Sequence, residues 1–109
     1  MEEPIMSTAT LDVTAGNDGP PSRRATDVSV GGSDFPPGTT VNIKVVGAGG
    51  RSLRGTAAVR ADGSFDWIAM FRPKLACNAT VTAHVHGSDG LHLDANTEVF
   101  CPPVPIGDR

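Results

Sequence analysis

Apolar residues fall on every second position in seven short runs, and this period of two limits what the chain can fold into more than any motif does. Leu11, Val13 and Ala15 make the first run, Thr26, Val28 and Val30 the second, and Val41, Ile43 and Val45 the third. Leu53, Gly55, Ala57 and Val59 follow, then Phe65, Trp67, Ala69 and Phe71. Ala79, Val81, Ala83 and Val85 make the sixth, and Leu91, Leu93, Ala95, Thr97 and Val99 the seventh. Such alternation places one side of each segment against a core and the other toward water, which is the pattern of a half-buried strand. Turn-forming stretches separate the runs: GNDGPPSRR at 16–24, GGSDFPPG at 31–38, VGAGGRS at 46–52 and RPKLACN at 72–78. No stretch of convincing length carries the 3.6-residue period of a helix, so the expected fold is all-β, an antiparallel sandwich of about seven strands. It is expected to span residues 11–101, preceded by a flexible arm at 1–10 and followed by a tail at 102–109.

At 109 residues there is room for one domain with one modest core. Thirteen Gly, nine Pro and only four Phe, one Trp and no Tyr leave Val, Ala, Thr and Leu to fill it, with Phe35 placed to plug one end. The net charge of -3, with Arg and Asp intermixed, offers no basic stripe to follow a phosphate backbone, so nucleic acid is not an expected partner. No apolar run approaches the roughly 20 residues of a membrane helix. The opening MEEPIMSTATLDV is acidic and lacks the basic and apolar regions of a secretory signal, so synthesis and retention in a cytoplasm are expected.

Register follows from parity. Residues that face one another on two antiparallel strands have position numbers that add to a constant, and the last two runs both point their odd residues inward, so their constant is even. A three-residue loop Ser88-Asp89-Gly90, with Gly90 in the left-handed conformation, sets it at 178. Val85 then faces Leu93, Ala83 faces Ala95 and Val81 faces Thr97 on the inner side. His86 faces His92 and His84 faces Asp94 on the outer side. A second loop of the same kind, Ala61-Asp62-Gly63, is expected to form another hairpin in which Val59 faces Phe65 and Ala57 faces Trp67.

The three histidines of the chain and Asp94 thus share one outward cluster. Imidazoles and a carboxylate on neighbouring strand positions are a donor set for zinc, copper or nickel. They are equally the polar residues that any solvated sheet face carries, and this second reading is the one adopted: no resident metal and no cofactor are expected. The same constant sets Cys77 opposite Cys101, which leaves two readings open, a disulfide or a close pair of thiols. Asn78-Ala79-Thr80 has the form of a glycosylation sequon, which without a secretory signal is a coincidence of spacing. Catalysis finds no support: there is no Gly-x-Ser-x-Gly elbow, no His-Glu-x-x-His, and VGAGGRS lacks the lysine and helix of a phosphate loop. Asp62 is accounted for by its turn, Asp66 by an outward strand position and Trp67 by its core parity.

The stretch VSVGGSDFPPGTTVNIKVV, Val28 to Val46, resembles the short immunoglobulin-like modules of bacterial surface proteins and tailed-phage virions, whose second and third strands read as a Gly-x-Gly-Phe-x-Pro-Gly-x-x-Val pattern. ADGSFDW at 61–67 and ATVTAHV at 79–85 resemble the later hairpin and penultimate strand of the same modules. The likeness runs from about Thr26 to Cys101, and it departs from the pattern at Ser33-Asp34-Phe35. It implies an immunoglobulin-like sandwich without enzymatic activity that decorates, spaces or adheres. A chain without an export signal then suits a virion component assembled in a host cytoplasm. Its expected work is decoration of a capsid, with the major capsid protein or a tail protein as partner. The alternatives are a tail or tail-tip accessory, or a domain of a bacterial surface adhesin with a cell-surface ligand.

Two surfaces are candidates for holding a partner. Ile68 and Met70 have outward parity on the fifth strand, and Phe100 on the last. The N-terminal arm offers Ile5 and Met6.

Overall fold

The structure is a computed structural model and describes residues 9–17, 25–87 and 90–101. Seven strands follow in order: β1 Thr10–Gly16, β2 Thr26–Ser33, β3 Thr40–Val46, β4 Ser52–Ala58, β5 Phe65–Phe71, β6 Thr80–Gly87 and β7 His92–Glu98. One turn of 3-10 helix at Ala48–Gly50 occupies the VGAGGRS connection. The strands form two antiparallel sheets, one of order β1-β2-β5 and one of order β4-β3-β6-β7. This is an antiparallel β-sandwich in which β4 lies beside β3, whereas in the constant-type antibody domain the fourth strand pairs with the fifth. Among the described residues no helix is long and apolar enough to cross a membrane.

Parity does what the sequence requires of it. Val28, Val30, Val41, Val45, Val81, Ala83, Val85 and Val99 are completely buried, and each lies on the inward side of its segment. β-branched Val suits this position because its single preferred rotamer costs little side-chain entropy on a pleated surface. At one end Phe35 meets Phe65 edge to face with ring centroids 5.1 Å apart, and both rings are buried. Gly32 makes room for that pair, since a Cβ there would fall inside the Phe65 ring.

The β6–β7 hairpin has the register set by the constant 178, with Val85 opposite Leu93, Ala83 opposite Ala95 and Val81 opposite Thr97. Gly87 N–H donates to Leu91 O at 2.7 Å, and Gly90 has φ 90°, the left-handed value that the loop demands. Ser88 and Asp89 lie outside the described residues.

The second hairpin is not a hairpin. The Ala61-Asp62-Gly63 turn forms, with Arg60 N–H donating to Ser64 O at 2.9 Å and Gly63 at φ 85°, but the ladder stops there. β4 pairs with β3 and β5 with β2, so Val59 does not face Phe65 and Ala57 does not face Trp67. The cause is the β2–β3 connection, which takes the backbone groups a ladder would need. Phe35 N–H donates to Gly63 O at 2.9 Å, Gly38 N–H to Val59 O at 3.1 Å, and Val59 N–H to Thr39 O at 2.9 Å. The turn therefore carries the chain from one sheet to the other. Trp67 fills the gap that opens between them, half-buried against the core, with its indole where a Cβ of Gly55 would stand.

The opposite end is closed by polar groups. Thr26 is buried completely, and its hydroxyl donates to Asn17 Oδ1 while accepting the Leu75 N–H at 2.7 Å. Asn17 Nδ2 donates to Leu75 O at 2.8 Å. Three segments remote in sequence are thus joined through one hydroxyl. Thr26→Val keeps the shape and removes that hydroxyl, leaving Leu75 N–H and Asn17 Oδ1 without it; the expected loss is about 1–3 kcal/mol, read from the urea midpoint at unchanged slope.

Asp62 reports on the sheet-switching turn. Its Oδ1 accepts from the Ser64 hydroxyl at 2.6 Å and the Ser64 N–H at 3.0 Å, and these bonds hold its carboxyl below the ordinary 3.8. A carboxyl with a depressed folded value contributes stability above its unfolded value and loses it as pH falls through the folded one. The stability gap between the wild type and Asp62→Asn is therefore expected to be full at neutral pH and to close as pH drops below 3.8. Denaturant titrations at a series of pH values measure it.

Candidate functional site

Outward positions of the larger sheet line up in two rows across four strands. One runs Arg54, Lys44, His84, Asp94, and the other Thr56, Asn42, His86, His92. The rows follow from the same parity that buries Ile43 and Val85 and turns Leu93 toward the core, so the sequence had to put something polar at each of these places. An open groove on this face is lined by residues that include Lys44, Arg54, Thr56, His84, His86 and His92.

The imidazoles are organised around one carboxylate. His84 Nδ1 lies 2.6 Å and His92 Nε2 2.9 Å from the same oxygen, Asp94 Oδ1, so two ring N–H groups converge on a single acceptor. The His84 bond first, and the His92 bond second, hold the Asp94 carboxyl below its ordinary value. His86 does not join this hydrogen-bonded set; it stacks on His92, centroids 4.2 Å apart and planes 23° from parallel. The four residues named together from sequence are therefore brought together, three of them through donor atoms and the fourth through its ring face.

On the smaller sheet the expected apolar patch is rearranged. Ile68 is 72% exposed and Phe100 59%, and the two line one shallow depression with Thr14, Asp27 and Ser29. Met70 is not part of it. It is half-buried on a different groove beside Arg51, Leu53 and Arg72. What brings Phe100 to Ile68 is a link that no hairpin rule covers: Phe100 N–H donates to Ala15 O at 2.9 Å and Asn17 N–H to Phe100 O at 2.8 Å, so the segment just after β7 runs parallel to the end of β1. Ile5 and Met6 lie outside the described residues.

Of the residues that sequence reasoning passed over, Asn17 and Thr26 matter most, one taken as loop and the other as an ordinary strand position. The only sign was a Thr on core parity, where a hydroxyl needs a partner. Asp62 and Asp66 have local partners, Asp62 within its turn and Asp66 in an ion pair with Arg60 at 2.7 Å.

No protein-family model matches the chain, and neither curated proteins nor solved structures give a match to it. What the fold and its faces define is a seven-stranded antiparallel sandwich with one imidazole-rich face and one carrying an apolar pair.

Cys77 and Cys101 are joined in a disulfide, with Cα atoms 5.7 Å apart at the position that the register assigns them. Asn78 beside it is in the left-handed region at φ 66°, and its N–H donates to Val99 O at 2.9 Å. The bridge closes a loop with a sequence separation of 24 residues and lies within reach of Asn17, whose Nδ2 is 3.6 Å from Cys101 Sγ. From loop closure alone, replacing both cysteines with Ala is expected to cost about 3–4 kcal/mol. Comparison of denaturant midpoints for the double variant and the oxidised wild type checks this value.

Proposed function

We propose that this protein is a non-enzymatic binding module of a virion surface, one that decorates the capsid by docking on a coat subunit through the face bearing Ile68 and Phe100. The observation that supports the reading is that pair. Single exposed apolar side chains are ordinary on any protein. Here two large ones, from distant parts of the chain, are set side by side on backbone already fixed in a ladder and a bridge. Docking on such a surface spends little ordering entropy, because the strand carrying Ile68 is already hydrogen-bonded to β2 and Phe100 to Ala15.

The virion context rests on the likeness of Val28–Val46 and of the ADGSFDW and ATVTAHV segments to phage and bacterial immunoglobulin-like modules. A protein that follows a capsid lattice is abundant in purified particles. A tail accessory is present in few copies, and a domain of a surface adhesin is found on cells as part of a longer chain.

Quantitative mass spectrometry of purified particles tests the assignment, with a copy number comparable to the coat subunit expected. Burial of each apolar side chain contributes about 1.5–3 kcal/mol, so Ile68→Ser with Phe100→Ser is expected to weaken binding to particles lacking the protein by at least about 100-fold. Undiminished binding of a folded double variant would remove this face from the interface.

A further inference from the structure

We infer that His84, His92 and Asp94 form a binding site for a borderline divalent cation, with zinc as its natural occupant. The three donor atoms, Nδ1, Nε2 and a carboxylate oxygen, lie within 4.8 Å of one another on the outer face of β6 and β7. Two nitrogens and one oxygen from neutral imidazoles and a carboxylate are the ligands zinc takes, whereas calcium and magnesium favour all-oxygen sets.

The two Asp94 contacts must open and the two ring nitrogens, now within 4.8 Å of each other, must settle at the tetrahedral spacing. Around a tetrahedral zinc with bonds of about 2.0–2.1 Å, donor atoms stand about 3.3–3.4 Å apart. Asp94 Oδ1 is now 2.6 Å from His84 Nδ1 and 2.9 Å from His92 Nε2, so both contacts widen by less than 1 Å as the ion enters between them. The backbone beneath is fixed. β6 is paired on both sides, to β3 and β7, and His84 sits directly opposite Asp94 in the ladder. Separations between the Cα atoms bearing the ligands are therefore set by the sheet before any ion arrives.

Each imidazole now turns a nitrogen toward the carboxylate, and that is the nitrogen that binds. Loading places the ring proton on the far nitrogen, His84 Nε2 and His92 Nδ1, and leaves the lone pair of the near nitrogen for the ion. The ion then replaces two N–H donors as the partner of Asp94 Oδ1. His86 acts on the site indirectly: stacked on His92 at 4.2 Å, it restricts rotation of that ring and is a positioning residue rather than a ligand. Lys44, opposite His84 in the register, is a cationic strand neighbour, and among the three ligands Asp94 supplies the carboxylate that offsets the ion's charge. Three protein donors leave a fourth coordination position for water or for a group on a partner.

The test is isothermal titration of the full chain, with its disulfide intact, against zinc sulfate in a non-chelating buffer at neutral pH, with melting temperature followed in parallel. One zinc per chain and a raised melting temperature are expected. Asp94→Asn and His92→Ala are each expected to weaken binding by more than the roughly 10–100-fold that follows loss of an outer partner of a metal ligand. His86→Ala is expected to lower affinity less than either. All are outward-facing, and far-UV circular dichroism verifies their folding. In the wild type, zinc should shift the imidazole NMR signals of His84 and His92 more than those of His86, a readout independent of any variant. Absence of saturable binding overturns the site, as does binding that survives in folded Asp94→Asn and His92→Ala.

Discussion

Everything on the larger sheet depends on the double pairing of β6. Held by β3 on one side and β7 on the other, it cannot slip without breaking two ladders, and a slip of one residue would turn Val81, Ala83 and Val85 out to water and His84 and His86 into the core. Both consequences are costly: lost apolar burial and imidazoles without partners. The register is therefore fixed by the core, and the outer face inherits it. The convergence of His84 and His92 on Asp94 is the outward expression of the packing that makes Val85 face Leu93.

The parts of this fold legible in the sequence are those decided by parity and by short turns. Alternation located all seven strands. The Ser88-Asp89-Gly90 loop, with parity, was enough to place His84 opposite Asp94 and Cys77 opposite Cys101, because a hairpin register needs only a turn length and a hydrophobic face. The same reasoning failed at Ala61-Asp62-Gly63 for a physical reason. A turn fixes the direction of the chain for a few residues, but whether a ladder continues depends on what competes for the backbone groups. Here Val59 and Gly63 are engaged by Phe35, Gly38 and Thr39. That competition comes from a loop twenty or more residues away, and local pattern carries no trace of it.

The candidate surfaces divide along the same line. The imidazole face lies within one sheet, mostly within one hairpin, and could be assembled from residue numbers. The Ile68–Phe100 depression depends on the parallel bridge between Gly16 and Phe100, which joins the two sheets at their margin. Met70, two residues from Ile68 and of the same parity, is led into a different groove beside Arg51. Parity states which way a side chain points, but not what lies there to meet it.

The closed end explains how so small a core tolerates two such different faces. A Val-rich interior with few aromatics supplies limited apolar burial, and domains of this size often add covalent or polar staples. In this chain they are gathered in one place. The disulfide joins the segment before β6 to the segment after β7, Asn17 reaches from the end of β1 to Leu75, and Thr26 at the start of β2 completes the set. Those constraints act at the end and not on the flat surfaces, so the exposed side chains of Ile68, Phe100, His84, His92 and Asp94 are not among them. Ile68 and Phe100 can remain exposed, and His84, His92 and Asp94 can keep their donor atoms turned toward one another, without either arrangement being needed to hold the sheets together.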